Sequence, residues 1–273
     1  MSTHFTLKLP EAQLLFHVKR EEEVQVCKAA EVKMFHVKRD NTEVAESDMV
    51  FHVKQAEVVP INLLLAGGRA PAKAWLESLQ GNYAVYCADK GASYALLAGL
   101  SPALVVGDCD STSEQIYEQA QSLGARLDIH PPAKDDTDLQ LLLAQLPHGN
   151  LVATGIWGGR FDHLFSNVYS LLAFKEQRHC HVVLADHEEM MVLLTANESV
   201  ELSFCTPEKV QAISLLPLSA QSSVSIAGVR WPLKQAELTQ NRPYAISNEL
   251  IEKSISCSCH SGKIGLYIHW LVE

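Results

Sequence analysis

The chain has 273 residues, 47% of them hydrophobic and 20% charged, and a formal net charge of −10. This is globular composition with room for one large or two medium domains, and an acidic chain without a basic stripe argues against nucleic acid or an anionic membrane as main partner. The seven cysteines are odd in number and scattered, which reads as reduced thiols of a cytoplasmic protein; no apolar run nears the ~20 residues that span a bilayer, and no secretory signal is visible.

Residues 1–59 stand apart. One tetrapeptide occurs three times, as Phe16-His17-Val18-Lys19, Phe35-His36-Val37-Lys38 and Phe51-His52-Val53-Lys54. The spacings are unequal, which excludes a solenoid repeat. The tetrapeptide can be encoded by TTT-CAC-GTG-AAA, its own reverse complement, and the flanking residues allow the palindrome to extend. The implied DNA resembles the centromere-like site of bacterial chromosome-partition systems. The segment is therefore read as translated DNA-site sequence, with Met34, Met49 or a nearby Val codon as an alternative start, and is expected to pack poorly. Other codons at these places in the gene would remove the idea.

From residue 61 short apolar runs alternate with amphipathic stretches. Strands are predicted at 61–66, 83–88, 104–106, 127–129, 151–154 and 181–185, with helices between them at 71–79, 92–98, 113–123, 137–146 and 162–174. Pro71 suits a first helical turn, and Gly99 and Gly124 suit helix ends. Apolar strands alternating with helices predict an α/β domain, a parallel sheet with helices on both faces, over residues 60–186. Ligands of such sheets bind beyond the carboxyl ends of the strands. After residue 186 the runs 190–195, 199–203, 210–216, 222–226, 254–259 and 265–271 are short and β-rich, which predicts a smaller antiparallel domain, a sandwich or a barrel, over residues 187–273. The cluster Cys257-Ser258-Cys259-His260 lacks a second ligand pair at zinc spacing and reads as a strand face.

The polar motifs fall where the predicted strands end. Gly67-Gly68-Arg69 follows the first strand of this region, and paired glycines let backbone N–H groups approach a phosphate; alone it is also an ordinary turn. Asp89 in Ala88-Asp89-Lys90-Gly91-Ala92 follows the next strand and could equally cap a helix. Gly107-Asp108-Cys109-Asp110-Ser111 is the most telling, because two carboxylates one residue apart hold like charge that a bound cation relieves. Lys134-Asp135-Asp136-Thr137-Asp138 opens a helix, where acids also offset the helix dipole. Gly158-Gly159-Arg160-Phe161-Asp162-His163 follows, with Asn167 on the helix behind; Arg160 offers a fork to phosphate oxygens. Many acids with a few cations at one sheet edge suit Mg²⁺-assisted phosphoryl chemistry.

The order Ala-Asp-x-Gly-Ala, Gly-Asp-x-Asp-Ser, Lys-Asp-x-Thr-Asp, Gly-Gly-Arg-Phe-Asp-His and, at Ser247-Asn248-Glu249, Ser-Asn-Glu resembles the thiamine pyrophosphokinase family. The segments 215–219 and 228–233 are similar to its second domain. The resemblance covers residues 61–270. It implies a β-sandwich as the second domain, transfer of diphosphate from ATP to the thiamine hydroxyl with release of AMP, and a homodimer with thiamine at its interface. It implies Mg²⁺ on Asp108, Asp110 and Asp138, catalysis by these with Arg160, and nucleotide contacts from Gly68, Arg69, Asp89, Lys134, Asp135, Thr137, Asp162, His163 and Asn167. Trp231 is expected to stack on thiamine, and Ser247 and Asn248 to bond its pyrimidine. Two departures stand out: Lys90 and Ser93 replace the usual Gly and Asn, and the acid pair brackets Cys109 rather than Phe. Two other readings compete. One is a phosphatase of the haloacid-dehalogenase type with Asp108 as nucleophile, and the other is a non-catalytic thiamine or nucleotide sensor.

Overall fold

The computed structural model describes residues 3–9, 12–18, 60–79, 82–108 and 112–271. Its centre is a run of six parallel strands: β3 (Ile61–Leu65), β4 (Tyr83–Ala88), β5 (Pro102–Gly107), β6 (Arg126–Ile129), β7 (Asn150–Thr154) and β8 (Val182–Ala185). β3 pairs with both β4 and β7; β5 and β6 continue on one side and β8 on the other. Apart from β6 at the sheet edge, the strands are largely buried on both faces, which is why they read as continuous apolar runs. On β3, Leu63 and Leu65 enter one core and Leu64 the opposite one.

Helices α1 (Lys73–Ser78), α2 (Gly91–Leu97) and α3 (Glu114–Ser122) cover one face with Trp75, Leu76, Ala92, Ala95, Tyr117 and Ala120. Helices α4 (Asp138–Gln145) and α5 (Phe161–Arg178) cover the other with Leu139, Leu142, Leu143, Leu171 and Leu172. Gly99 and Gly124 follow α2 and α3 with φ of +72° and +96°, a left-handed backbone that glycine adopts without strain. Pro71 lies ahead of the first turn of α1, whose N-cap is Ala72.

The later strands are β9 (Glu189–Thr195), β10 (Glu198–Phe204), β11 (Val210–Pro217), β12 (Gln221–Ala227), β13 (Leu233–Thr239), β14 (Ser254–Ser261) and β15 (Lys263–Trp270). The change near residue 187 is a change of strand direction and not a break between sheets. β9 pairs antiparallel with β8, and β15 and then β11 continue the sheet in antiparallel pairs, giving the order β11-β15-β9-β8-β7-β3-β4-β5-β6. The second sheet faces this extension, and Val200, Leu202, Val224, Ile226, Ile255 and Cys257 share one core with Val192, Leu194, Ile264, Leu266 and Ile268. The two layers form the sandwich. Cys257 and Cys259 are buried on β14 and His260 is exposed, as a strand face requires.

Residues 1–59 differ from expectation where they are described. β1 (Thr3–Lys8) and β2 (Ala12–Val18) form a hairpin, and β2 pairs along the whole of β10, from Glu198 opposite Val18 to Phe204 opposite Ala12. The order of the second sheet is therefore β1-β2-β10-β14-β12-β13. Ala12, Leu14 and Phe16 are buried in the shared core, and the Phe16 ring stacks on His181 at 4.4 Å. The physical reason is local: Ala12, Leu14 and Phe16 alternate with period two, which suits a strand with one face on a core. The two later copies of the tetrapeptide lie outside the described residues, as does Lys19 of the first.

Candidate active site

The sheet order reverses at β3. The chain leaves it toward β4, β5 and β6, then returns to its other side as β7. Loops diverge from the carboxyl ends on either side of such a point and leave a crevice. The loop after β3 and the loop after β7 meet there. Ala66 N donates to Thr154 O (2.9 Å), Gly68 N to Gly155 O (2.7 Å) and Arg69 N to Trp157 O, while Tyr94 Oη donates to Gly68 O (2.9 Å). A Cβ on Gly68 would stand 2.5 Å from both Gly155 O and Trp157 O, so glycine is required here for loop-on-loop packing. The Gly68 amide, expected to face phosphate, is already bonded to the neighbouring loop.

Arg69 likewise differs from expectation. Its Nε and Nη2 reach Asp186 Oδ2 (3.0 and 2.7 Å), Nη1 reaches Glu188 Oε2 (2.7 Å) and Nη2 also reaches Glu189 Oε1 (2.6 Å). Burial opposes the guanidinium charge, but the bonds and charges of Asp186 and Glu189 outweigh it and raise its pKa. The guanidinium is taken up by the β8–β9 corner. Sequence reasoning missed these partners; the Asp186-His187-Glu188-Glu189 run directly after β8 was the available signal.

On the other side of β3, the ends of β4, β5 and the start of α4 bring Asp89, Asp108, Lys134 and Asp138 together. Lys134 Nζ lies 2.9 Å from Asp138 Oδ1 and 3.7 Å from Asp108 Oδ2. Asp89 follows β4 with φ of +50°, a left-handed geometry that Asp tolerates better than most residues. Its carboxyl is pushed up to about 7, first by burial, then by the charges of Asp138 and Asp108, with Asp138 within hydrogen-bonding reach; Lys134 acts in the opposite direction. Burial also works against the Lys134 charge, but the bond to Asp138 and the charges of Asp138, Asp108 and Asp89 raise it. Asp89 Oδ1 is buried and meets no hydrogen-bond donor among the described residues.

Two chain features set this geometry. Gly91, first residue of α2, packs on the end of β3 so closely that a Cβ would lie 1.9 Å from Leu65 O. Thr137 and Gln140 form a reciprocal capping box at α4, which fixes Asp138 in its first turn. The Thr137 hydroxyl is thus engaged in the cap, while Asp135 is exposed. Asp110 lies outside the described residues; among those described, no three acidic, His or Cys side chains enclose a metal-sized space.

Arg160 precedes α5 and grips Asp162 through Nε (3.1 Å) and Nη2, and Asp162 Oδ1 accepts from His163 N (3.1 Å). The bond to Arg160 holds the Asp162 carboxyl below its usual range, and the same bond raises Arg160. Arg160, Asp162 and His163 are exposed, and Asn167 is half-buried on α5. Phe161 and Phe165, also exposed, form a tilted ring pair at 6.1 Å beside them.

The residues expected to meet thiamine converge elsewhere. Asn248 Nδ2 donates to Trp231 O (2.8 Å), and Asn248 Oδ1 accepts from Trp231 N (3.1 Å) and from Glu249 N (2.9 Å). The Asn248 amide therefore pins the Trp231 backbone. The Trp231 ring is 55% exposed, with the Arg230 guanidinium 5.8 Å from its centroid. Ser247 has φ of +55° and donates its N–H to Ser214 Oγ (3.0 Å).

An α/β enzyme whose switch-point crevice carries acids and a lysine, joined to a β-sandwich with an exposed aromatic ring, is the class the fold and site define. The family model for the thiamin pyrophosphokinase catalytic domain matches residues 76–184, and that for the thiamin pyrophosphokinase vitamin B1 binding domain matches residues 200–264. The thiamine pyrophosphokinase of Bacillus subtilis is 30% identical over 168 residues, covering 60% of this chain and 76% of the relative. A solved thiamine pyrophosphokinase structure from Bacillus subtilis superposes with a TM-score of 0.66 at 25% identity, over 78% of this chain and 100% of that one. The yeast thiamin pyrophosphokinase structure, at 16% identity and a TM-score of 0.61 over 79% of this chain and 87% of its own, shares the fold. The chain belongs to the thiamine pyrophosphokinase family. It is an enzyme of diphosphate transfer, with ATP and thiamine as the family's substrates. These matches favour neither the phosphatase nor the sensor reading.

Proposed function

We propose that this chain transfers diphosphate from ATP to thiamine as a Mg²⁺-dependent homodimer in the cytoplasm. Residues 60–186 would bind nucleotide and metal, and residues 187–273 thiamine and the second chain. The observation that carries the metal is the Asp89, Asp108 and Asp138 cluster. Three carboxylates face one lysine, and Asp89 is driven to about 7 by burial and their charges. The buried Asp89 oxygen that meets no donor supports a hard cation nearby, although the described acids alone do not enclose one. Asp108 and Asp138, with Asp110 as the sequence places it, would hold the ion, and Asp89 stands beside them. The ion would neutralise phosphate charge when bound.

The protein's own groups do the rest. Lys134 sits between the acids and supplies a cation to the phosphates from a fixed position. Arg160 has a fork that an incoming phosphate can take over from Asp162, with His163 and Asn167 on the same helix. Most of the catalytic gain comes from such positioning and charge placement. Trp231 offers an aromatic face to the thiamine ring, and the Asn248 bridge holds that face in place, so its amide serves the ligand through Trp231. Ser247, next to Asn248 in the chain, would bond the pyrimidine. The exposed Trp231, Tyr244, Ile246 and Ile251 lie on the sandwich segment that the family model matches as the vitamin B1 binding domain. Apolar surface of this kind supports an interface with a second copy.

Asp108→Ala tests the reading at its centre. Formation of thiamine diphosphate and AMP is expected to fall at least ~100-fold, with an unchanged far-UV circular dichroism spectrum. Near wild-type turnover in the folded variant removes Asp108 from the site.

A further inference from the structure

We infer that Arg69 is a positioning residue for the transfer reaction: anchored on the β8–β9 corner, it holds the 155–160 loop and the start of α5 in register with the crevice. The corner is built to receive it. Asp186 is fully buried; its Oδ1 accepts from Glu188 N (2.8 Å) and Glu189 N (3.1 Å), which leaves Oδ2 for two guanidinium nitrogens. Glu188 accepts from Nη1 and Glu189 from Nη2, and the Tyr267 hydroxyl donates to Glu189 from β15. The planar guanidinium aims two donors at Asp186 while reaching Glu188 and Glu189, a fixed geometry that a lysine's single ammonium does not reproduce.

From this anchor the constraint passes through backbone. Gly68 and Arg69 donate their N–H groups to Gly155 O and Trp157 O. The packing is tight enough that a Cβ on Gly158 would stand 2.8 Å from Arg69 Cβ. A shift of residue 69 therefore shifts residues 155–158, and with them Arg160, two residues further on. The inference rests on the reading of Arg160 as facing the nucleotide phosphates.

Two variants test it, each followed by hydrogen exchange of the 155–163 segment and by steady-state kinetics. Arg69→Lys keeps the charge and loses the fork. Glu188→Gln leaves Arg69 two of its three acids and serves alone should the first variant fail to fold. In Arg69→Lys the segment is expected to exchange at least ~10-fold faster, and KM for ATP to rise by about 10-fold while KM for thiamine holds; Glu188→Gln is expected to show smaller changes in the same direction. Simple loss of stability would not raise the KM for one substrate alone. Unchanged exchange over 155–163 in the folded variants overturns the inference. Faster exchange with an unchanged KM for ATP, and the same KM in Arg160→Ala, overturns instead the reading of Arg160 on which it rests.

Discussion

At the scale of single residues, Gly91 and His181 each impose a constraint that can be tested. Gly91 has no substitute, because any Cβ collides with the Leu65 carbonyl. Gly91→Ala forces α2 away from β3 and should cost about 3 kcal/mol, read as a lowered urea midpoint with unchanged m. His181 lies buried against the Phe16 ring, and its pKa is lowered to about 4, first by burial and then by the Lys175 charge, with Glu198 opposing. The unfolded chain binds this proton near 6.5 and the folded one only near 4. The stabilisation is thus complete above pH 6.5 and is lost as pH falls toward 4. About 3 kcal/mol is at stake. His181→Phe, which keeps the stack, should flatten the stability profile between pH 6.5 and 4; an equally steep loss in that variant would assign the acid sensitivity to other groups.

At the scale of elements, a buried ion pair joins the two halves of the chain. Lys175 on α5 places Nζ 2.8 Å from Glu198 Oε1 at the start of β10 and 3.1 Å from Cys180 O; Glu198 Oε2 accepts from Thr195 N and Oγ1. Removing one partner strands a charge that water cannot reach. Lys175→Met is expected to lose about 3–5 kcal/mol, and the double change Lys175→Met, Glu198→Gln to recover part of it, as thermal unfolding of the three proteins will show. The elements themselves differ in how legible they are. The central strands stand out because burial on both faces demands unbroken apolar runs, and α4 because the acids of Lys134-Asp135-Asp136-Thr137-Asp138 mark its first turn. β13 was missed: its pattern is mostly polar, with Leu238 its one fully buried side chain. The meeting of Asp89, Asp108, Lys134 and Asp138 was legible, since their motifs end strands or open a helix at one sheet edge, whereas Asp110 lies outside the described residues. The fate of Arg69 was not, because its partners lie 117 to 120 residues away, and no local pattern encodes so distant a pairing.

At the scale of the whole molecule, the sandwich is not a module appended to the α/β domain. Its inner layer is the continuation of the central sheet, so the parallel and antiparallel halves share strands, cores and the Arg69 corner. The hairpin β1–β2 adds to the outer layer at β10, ahead of the regions matched by the family models. The alternation of Ala12, Leu14 and Phe16 marks β2 locally, but nothing local encodes its pairing with β10, from Val18 opposite Glu198 to Ala12 opposite Phe204. Burial of Leu14 and Phe16 contributes roughly 1.5–3 kcal/mol for each side chain. A chain beginning at residue 60 should therefore unfold at lower temperature and self-associate through the bared β10 edge; equal stability and solubility of the two forms would show that the hairpin adds nothing to the fold.

The claim on which the account turns is that the crevice between the acids and the glycine loops joins a diphosphate to thiamine. The direct measurement is the yield of AMP and thiamine diphosphate from ATP, with magnesium and thiamine each present or withheld. Equal amounts of the two products are expected only when both are present. Release of orthophosphate or ADP without thiamine, or no AMP under any condition from a folded protein that binds thiamine, would contradict it.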